Sequence, residues 1–345
     1  MRALILGGSR FIGLRLARLL VASGHDVTLF NRGRTPDGLG DRVARLKGDR
    51  ASAMDLSRAL SGQTFDAAWD FLCYDAGDAR RIVEALSGRA GRLTHVSTGS
   101  VYWCTGDFPC PVPEEQFDRH GDFPEAPGSI EYDYGYAKRK AEEVLGEAHR
   151  AGSLAVTVVR PPVVAGEDEP ALRYAAYCRR LEDGGPVVLP DGGDTQFRHV
   201  YAGDLARALA SIPGRPATSG RAYNLASPEI LSVRRLTLDI ARILGREPEL
   251  VEIPVPFLKE RAPVAAEATA FSPFTQRAPQ VPAVERAARE LGWAPTPYPV
   301  WLESVVRWWV DEGSPAGLVP PAFRHREAEL AAVAAWRRTG KKVID

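Results

Sequence analysis

The chain has no surplus of either charge. Its 345 residues carry 44 Lys plus Arg against 44 Asp plus Glu, so no global field draws it to nucleic acid or to an anionic membrane surface. It also lacks any run of about 18 apolar residues, the length a membrane-spanning helix needs. The start, Met1-Arg2-Ala3-Leu4-Ile5-Leu6-Gly7, resembles a signal sequence only superficially, because the apolar run breaks at Gly7-Gly8. Cysteine is sparse. Cys73, Cys104, Cys110 and Cys178 show neither zinc-like pairing nor the density of a disulfide-stapled domain. Reduced thiols, a cytoplasmic setting and no metal are therefore expected. There is no internal repeat. What is present is ordinary for a folded globular protein, 45% apolar and 26% charged. The length suits one large or two modest domains of roughly 100–200 residues each.

The N-terminal third is the most informative. Ala3-Leu4-Ile5-Leu6 reads as a strand buried on both faces, and Leu14–Val21 repeats apolar residues at helical spacing. Between them lies Gly7-Gly8-Ser9-Arg10-Phe11-Ile12-Gly13. The order strand, glycine turn, helix is what a dinucleotide needs, because glycine lets main-chain N–H groups approach a pyrophosphate at a helix N-terminus. A second strand, Val27–Phe30, ends in Asn31-Arg32-Gly33-Arg34 rather than in an acidic residue. An acid there would hold a ribose 2′-hydroxyl, whereas arginine accepts a 2′-phosphate. Asn31, Arg32 and Arg34 thus favour NADP, with NAD as the alternative. Val43–Leu46 reads as a third strand ending at Gly48-Asp49, whose carboxylate can accept from the adenine amine. Phe65–Leu72 and Arg92–Val96 read as a fourth and fifth strand, so the β–α alternation argues a parallel sheet. Leu72 and Cys73 are then expected to line the cofactor, Cys73 by packing rather than chemistry.

A second signal is Glu131-Tyr132-Asp133-Tyr134-Gly135-Tyr136-Ala137-Lys138-Arg139-Lys140, which reads as the start of a helix that runs regularly after Gly135. Tyr134 and Lys138 are four residues apart and so share a face. An ammonium beside a phenol stabilises the phenolate and draws its pKa from about 10 toward neutrality. That suits proton exchange with an alcohol or ketone. Tyr136 and Lys140 have the same spacing, so the residues alone leave two registers open.

Taken in order, the glycine turn, Gly48-Asp49, Val96-Ser97-Thr98-Gly99-Ser100-Val101-Tyr102 and Tyr134-Gly135-x-x-Lys138-x-x-x-Glu142 resemble the extended short-chain dehydrogenase/reductase superfamily, in its NAD-dependent epimerase/dehydratase family. The likeness continues through Val159-Arg160-Pro161-Pro162, Val200-Tyr201-Ala202-Gly203-Asp204, Tyr223-Asn224-Leu225-Ala226 and Leu291-Gly292-Trp293, covering about residues 1–312. It implies a Rossmann-type doubly wound parallel α/β sheet with a smaller C-terminal α/β substrate domain. The dinucleotide would bind 1–165, with 199–226 returning to it; 166–198 and 227–312 would bind substrate, and 313–345 would be a tail with a helix. The family's Tyr-Gly and the Glu one turn beyond its Lys select Tyr134 and Lys138 as catalytic. Lys138 would also hold the nicotinamide ribose, beside Pro161. Thr98 would hold the substrate oxygen, with Ser100 its neighbour, and Arg198 would meet an anionic substrate group.

Two departures carry meaning. Arg10 stands where the family has its middle glycine, as in a sub-branch similar to chloroplast stem-loop-binding proteins, and would add a phosphate contact. Gly99-Ser100 follow Thr98 where sugar 4,6-dehydratases carry Asp-Glu, so 4,6-dehydration is not expected. The expected function is hydride transfer at a secondary alcohol or ketone carbon, by resemblance on a nucleotide-activated sugar. Alternatives are an NADPH-dependent ketoreductase of a non-sugar substrate, and a non-catalytic NADP-sensing or RNA-binding protein. Neutral charge and the absence of aromatic-basic interleaving oppose RNA. Members of the family often pair through helices flanking the Tyr-Lys segment, which leaves a homodimer open. Residues 103–131, containing His120, are expected to form a loop at the mouth of the site, in the manner of a lid.

Overall fold

A computed structural model describes residues 1–104, 109–118, 130–262 and 279–340. His120, much of the expected 103–131 loop and the last five residues lie outside the described residues. The strands are β1 (Arg2–Leu6), β2 (Asp26–Asn31), β3 (Ala44–Lys47), β4 (Ala67–Asp70), β5 (Leu93–Val96), β6 (Val156–Arg160), β7 (Val163–Ala165), β8 (Val187–Pro190), β9 (His199–Tyr201), β10 (Ala222–Asn224) and β11 (Leu250–Ile253). The helices are α1 (Phe11–Ala22), α2 (Ala53–Leu60), α3 (Ala76–Leu86), α4 (Ile130–Arg150), α5 (Arg173–Glu182), α6 (Ala202–Ser211), α7 (Val233–Leu244), α8 (Val255–Arg261), α9 (Glu285–Leu291), α10 (Tyr298–Trp308) and α11 (Arg326–Arg338). No helix among the described residues is long and apolar enough to cross a membrane.

The chain forms two compact units. The first comprises Met1–Val164, His199–Ser227 and Pro282–Pro295. Its seven-stranded sheet runs β10-β6-β5-β4-β1-β2-β3 with every strand parallel to its neighbours. The alternation along β1 explains the layering. Ala3 and Ile5 join Val27, Leu29 and Trp69 in a core shared with α1, α6 and α9. Leu4 and Leu6 join Phe30 and Ala68 in a core shared with α2, α3 and α4. The sheet is thus covered on both faces, a doubly wound Rossmann-type α/β fold. Its strand order reverses between β1 and β4, where such folds open a crevice at the carboxyl ends of the strands.

The second unit comprises Ala165–Arg198, Pro228–Val281 and Thr296–Asp345. It holds the parallel pair β11-β8 and α5, α7, α8, α10 and α11. Its helix α7 starts on Ser232, whose side chain accepts from Arg235 N, and stops at left-handed Gly245. Serine at a helix start and glycine just past its end are the residue types those positions favour.

Three boundaries differ from the sequence reading. The strand expected over 65–72 is only β4, because Asp70 Oδ1 accepts Leu72 N at 2.8 Å and turns the chain. Residues 282–295 pack with the first unit: Glu290 accepts from Tyr223 Oη at 3.0 Å, and Trp293 Nε1 donates to Ala226 O at 2.8 Å. The expected tail is integral to the second unit, where Glu329 of α11 receives the buried Arg180 of α5 at 2.9 Å.

Candidate active site

The glycine turn between β1 and α1 is shaped by contacts that exclude side chains. Gly7 has a φ of +98°, and a Cβ on Gly13 would lie 2.3 Å from Gly7 O, so α1 can press against the turn only as glycine. Phe11, the first residue of α1, sits at a φ of +44°. Arg10 precedes it in extended conformation with no side-chain cap, and the first turn has no acidic residue. The unpaired N–H groups and dipole of that helix end remain available to an anion.

A cleft of about 450 Å³ opens there. Of the expected cofactor residues, Gly7, Ser9, Arg10, Asn31, Arg32, Arg34, Asp49 and Leu72 line it. Asn31 ties its two walls together, donating from Nδ2 to Ser9 Oγ at 2.9 Å and accepting from Gly33 N at 2.7 Å. Arg10, Arg32 and Arg34 are exposed at its edge. This donor set, with three arginines lining one cleft beside the turn, fits the phosphates of a dinucleotide.

The other expected cofactor residues do not line the cleft. Gly8 and Gly13 are buried and Ile12 packs partly against the core. Cys73 corrects the sequence reading: its side chain is buried in the core rather than facing the cleft, and burial pushes its thiol up to about 12. Its carbonyl is the useful part. Lys138 Nζ donates to Cys73 O at 2.7 Å, on the loop after β4, and to Val96 O at 3.0 Å, at the carboxyl end of β5. Lys138 is 1% exposed, and burial lowers its pKa, opposed by Cys73, Asp70 and Glu142. Pro161 is also buried, and its carbonyl accepts Gly99 N at 2.8 Å, docking the turn that follows β5.

That turn carries Thr98, whose Oγ1 lies 3.1 Å from Ser100 Oγ and accepts Ser100 N at 3.2 Å. Helix α4 starts at Ile130, earlier than the sequence reading, so Gly135 is inside it. A Cβ at Gly135 would stand 2.3 Å from Ser100 O. The glycine therefore lets α4 rest on the Thr98–Ser100 turn, with Tyr134 at the adjoining residue and 40% exposed. The competing pair differs in kind. Tyr136 stacks on Tyr132 with centroids 6.1 Å apart, and Lys140 Nζ reaches Glu143 at 2.7 Å rather than the strand ends.

Arg198 falls in the second unit, where it is buried and donates from Nε to Pro228 O at 3.2 Å. At least part of its hydrogen bonding is thus internal to the fold.

Sequence reasoning missed a buried polar network under α4. Ser97 donates to Glu142, and Arg160 Nη2 reaches the same carboxylate at 2.6 Å. Arg160 Nη1 donates to Tyr102 Oη at 2.9 Å, and Tyr102 Oη donates to Asn224 at 2.7 Å. These residues sat inside the quoted motifs, but their spacing of tens of residues hid the partners. Also missed was Arg50, which pairs with Asp70 at 2.6 Å and Asp78 at 2.8 Å.

Comparison with known proteins agrees with this fold. The model of the NAD dependent epimerase/dehydratase family matches residues 3–226. Among curated relatives, the chloroplast stem-loop binding protein of 41 kDa b of Arabidopsis thaliana is 28% identical, covering 85% of this chain and 75% of its own length. The 2'-dehydrokanamycin reductase of Streptomyces kanamyceticus is 28% identical over 76% of this chain and 72% of its own. Among solved structures, UDP-glucose 4-epimerase of Thermotoga maritima superposes with a TM-score of 0.72 at 18% identity, over 90% of this chain and 99% of that one. With the family model spanning well over half of its residues, the chain belongs to the NAD dependent epimerase/dehydratase family, as an extended short-chain dehydrogenase/reductase.

Proposed function

We propose that this oxidoreductase uses NADP to move a hydride at a secondary alcohol or ketone carbon of a small metabolite, in net reduction. The observation that carries the cofactor preference is the convergence of Arg10, Arg32 and Arg34 on one cleft beside the glycine turn. Arg32 and Arg34 after β2, with Arg10 from the glycine turn, suit a 2′-phosphate, where an acidic residue would repel it. A bound dinucleotide would supply the hydride at its nicotinamide. Tyr134 Oη gives the proton to the carbonyl oxygen, and Thr98 Oγ1 donates a hydrogen bond to that oxygen. Lys138 holds positive charge behind them, anchored on the carbonyls of Cys73 and Val96. Net reduction is also the activity named for the Streptomyces relative, and a sugar-type ketone is the substrate class we favour. Gly99 and Ser100 after Thr98 leave no carboxyl there for dehydration.

A second reading keeps NAD bound through a cycle of oxidation and re-reduction, as an epimerase does, and the NAD dependence of the family favours it. Extraction of bound nucleotide, followed by fluorescence titration with NADPH and NADH, separates the two. Exchangeable NADPH is expected, weakened roughly tenfold by Arg32→Ala or Arg10→Ala with NADH binding unchanged. Tightly retained NAD⁺ would instead identify the epimerase. Tyr134→Phe should lower turnover of a ketone substrate by about 100-fold or more while leaving NADPH binding intact. Parent-like turnover in that variant would remove Tyr134 from the chemistry, and RNA binding that persists in raised salt without turnover would remove the enzyme reading.

A further inference from the structure

Arg50 follows Asp49 at the exit of β3 and is buried although it lines the cofactor cleft. Its guanidinium lies between two acids from different elements, hydrogen-bonding Asp70 at the end of β4 and pairing by charge with Asp78 in the first turn of α3. Arg81 reaches Asp78 as well, at 2.5 Å. Each carboxylate spends its other oxygen on one short loop. Asp70 Oδ1 accepts Leu72 N at 2.8 Å, and Asp78 Oδ2 accepts Tyr74 N at 2.9 Å. Between those two amides stands Cys73, whose carbonyl receives Lys138. Next to it the Tyr74 ring lies 5.5 Å from the same ammonium, within reach of a cation–π contact.

Two buried carboxylates side by side repel unless a cation holds both, and a planar guanidinium fork does so with fixed geometry. We propose that Arg50 is a positioning residue: by holding Asp70 and Asp78 it sets the Phe71–Asp75 loop, and through Cys73 O and Tyr74 it sets the place of the Lys138 ammonium. The residue beside the adenine end of the cleft thereby governs the proton-handling end. This rests on reading Lys138 as the active-site lysine. The groups facing Lys138 are Asp70 at the end of β4, Cys73 and Tyr74 on the loop, His95 on β5, Glu142 on its own helix and Arg50 itself.

The test compares the full-length parent with Arg50→Met and Arg50→Lys. Amide hydrogen exchange over residues 70–76 reads the loop, and the ¹³Cε resonance of Lys138, assigned with Lys138→Arg, reads the ammonium. In Arg50→Met the Leu72 and Tyr74 amides should exchange roughly tenfold faster, with α1 unchanged. The Lys138 titration should move upward, because the Arg50 charge is gone and Asp70 loses its counter-charge, while Asp78 keeps Arg81. Arg50→Lys should return the titration toward the parent without restoring the exchange, since an ammonium cannot span both acids. Parent-like exchange and titration in folded Arg50→Met would overturn the proposal. Should that variant not fold, Asp78→Asn loosens only the Tyr74 side of the clamp, and parent-like exchange at Tyr74 would overturn it equally. NADPH titration of the parent is scored separately: its failure rejects the cofactor reading, whereas the exchange data alone decide the clamp.

Discussion

At the scale of single residues, the site depends on atoms that are absent as much as on those present. Gly135 costs its helix intrinsic stability, yet its missing Cβ is what admits the Ser100 carbonyl. Gly135→Ala should therefore destabilise the protein by about 1–3 kcal/mol rather than gain from better helix propensity, as measured by the denaturant midpoint. Turnover should fall with it, because Tyr134 and Thr98 move apart together with the two backbones. An unchanged midpoint would mean that α4 is not seated on the turn. The same scale explains what could be read in advance. Glycine spacing, a Tyr and Lys four apart, and arginines after β2 are local signals. Cys73 was expected to line the cofactor by packing; its side chain packs in the core instead, and no local pattern announces that its carbonyl receives Lys138.

At the scale of elements, β5 combines two demands. Its carboxyl end presents Val96 O to Lys138, while its middle buries His95, whose ring nitrogens have no hydrogen-bond partner among the described residues. Burial, together with Lys138, Arg50 and Arg160, holds the His95 pKa well below 6.5. The unfolded chain takes up a proton as pH falls through about 6.5, whereas the folded chain does not, so folding stability is lost on acidification. His95→Leu removes that contribution and a pair of unsatisfied polar atoms. Melting temperatures recorded between about pH 7 and pH 5 should decline less steeply in His95→Leu than in the parent. Equal slopes would show that other groups govern the acid limb. Elements were legible where capping and periodicity agreed, as in α7 with Ser232 and Gly245. Their ends were not legible where a side chain reached back to the main chain, as Asp70 does to close β4.

At the scale of the whole molecule, the parallel sheet followed from β–α alternation and its double winding from the family resemblance, but the allotment of late segments from neither. The pairing of Arg180 with Glu329 spans 149 positions and joins α5 to α11 within the second unit. Arg326 adds Asp183 at 2.8 Å. Both members of the first pair are buried, so Glu329→Ala leaves a guanidinium without its counter-ion and should cost about 3 kcal/mol or more. Calorimetry should show a lowered transition in this variant, and a larger loss when the chain is cut after Gly313. A cut chain that melts like the parent would return residues 313–345 to the status of a tail.

The first unit is assembled from three stretches of chain, with α6 and α9 supplying Leu205, Leu209 and Leu291 to the core that α1 begins. During synthesis at about 5–20 residues per second, α1 waits on the order of tens of seconds for those partners. The nascent chain therefore carries Leu16, Ala17 and Leu20 without their late partners for most of that time, and any contiguous fragment that holds both the glycine turn and the complete sheet also carries the Ala165–Arg198 stretch of the second unit.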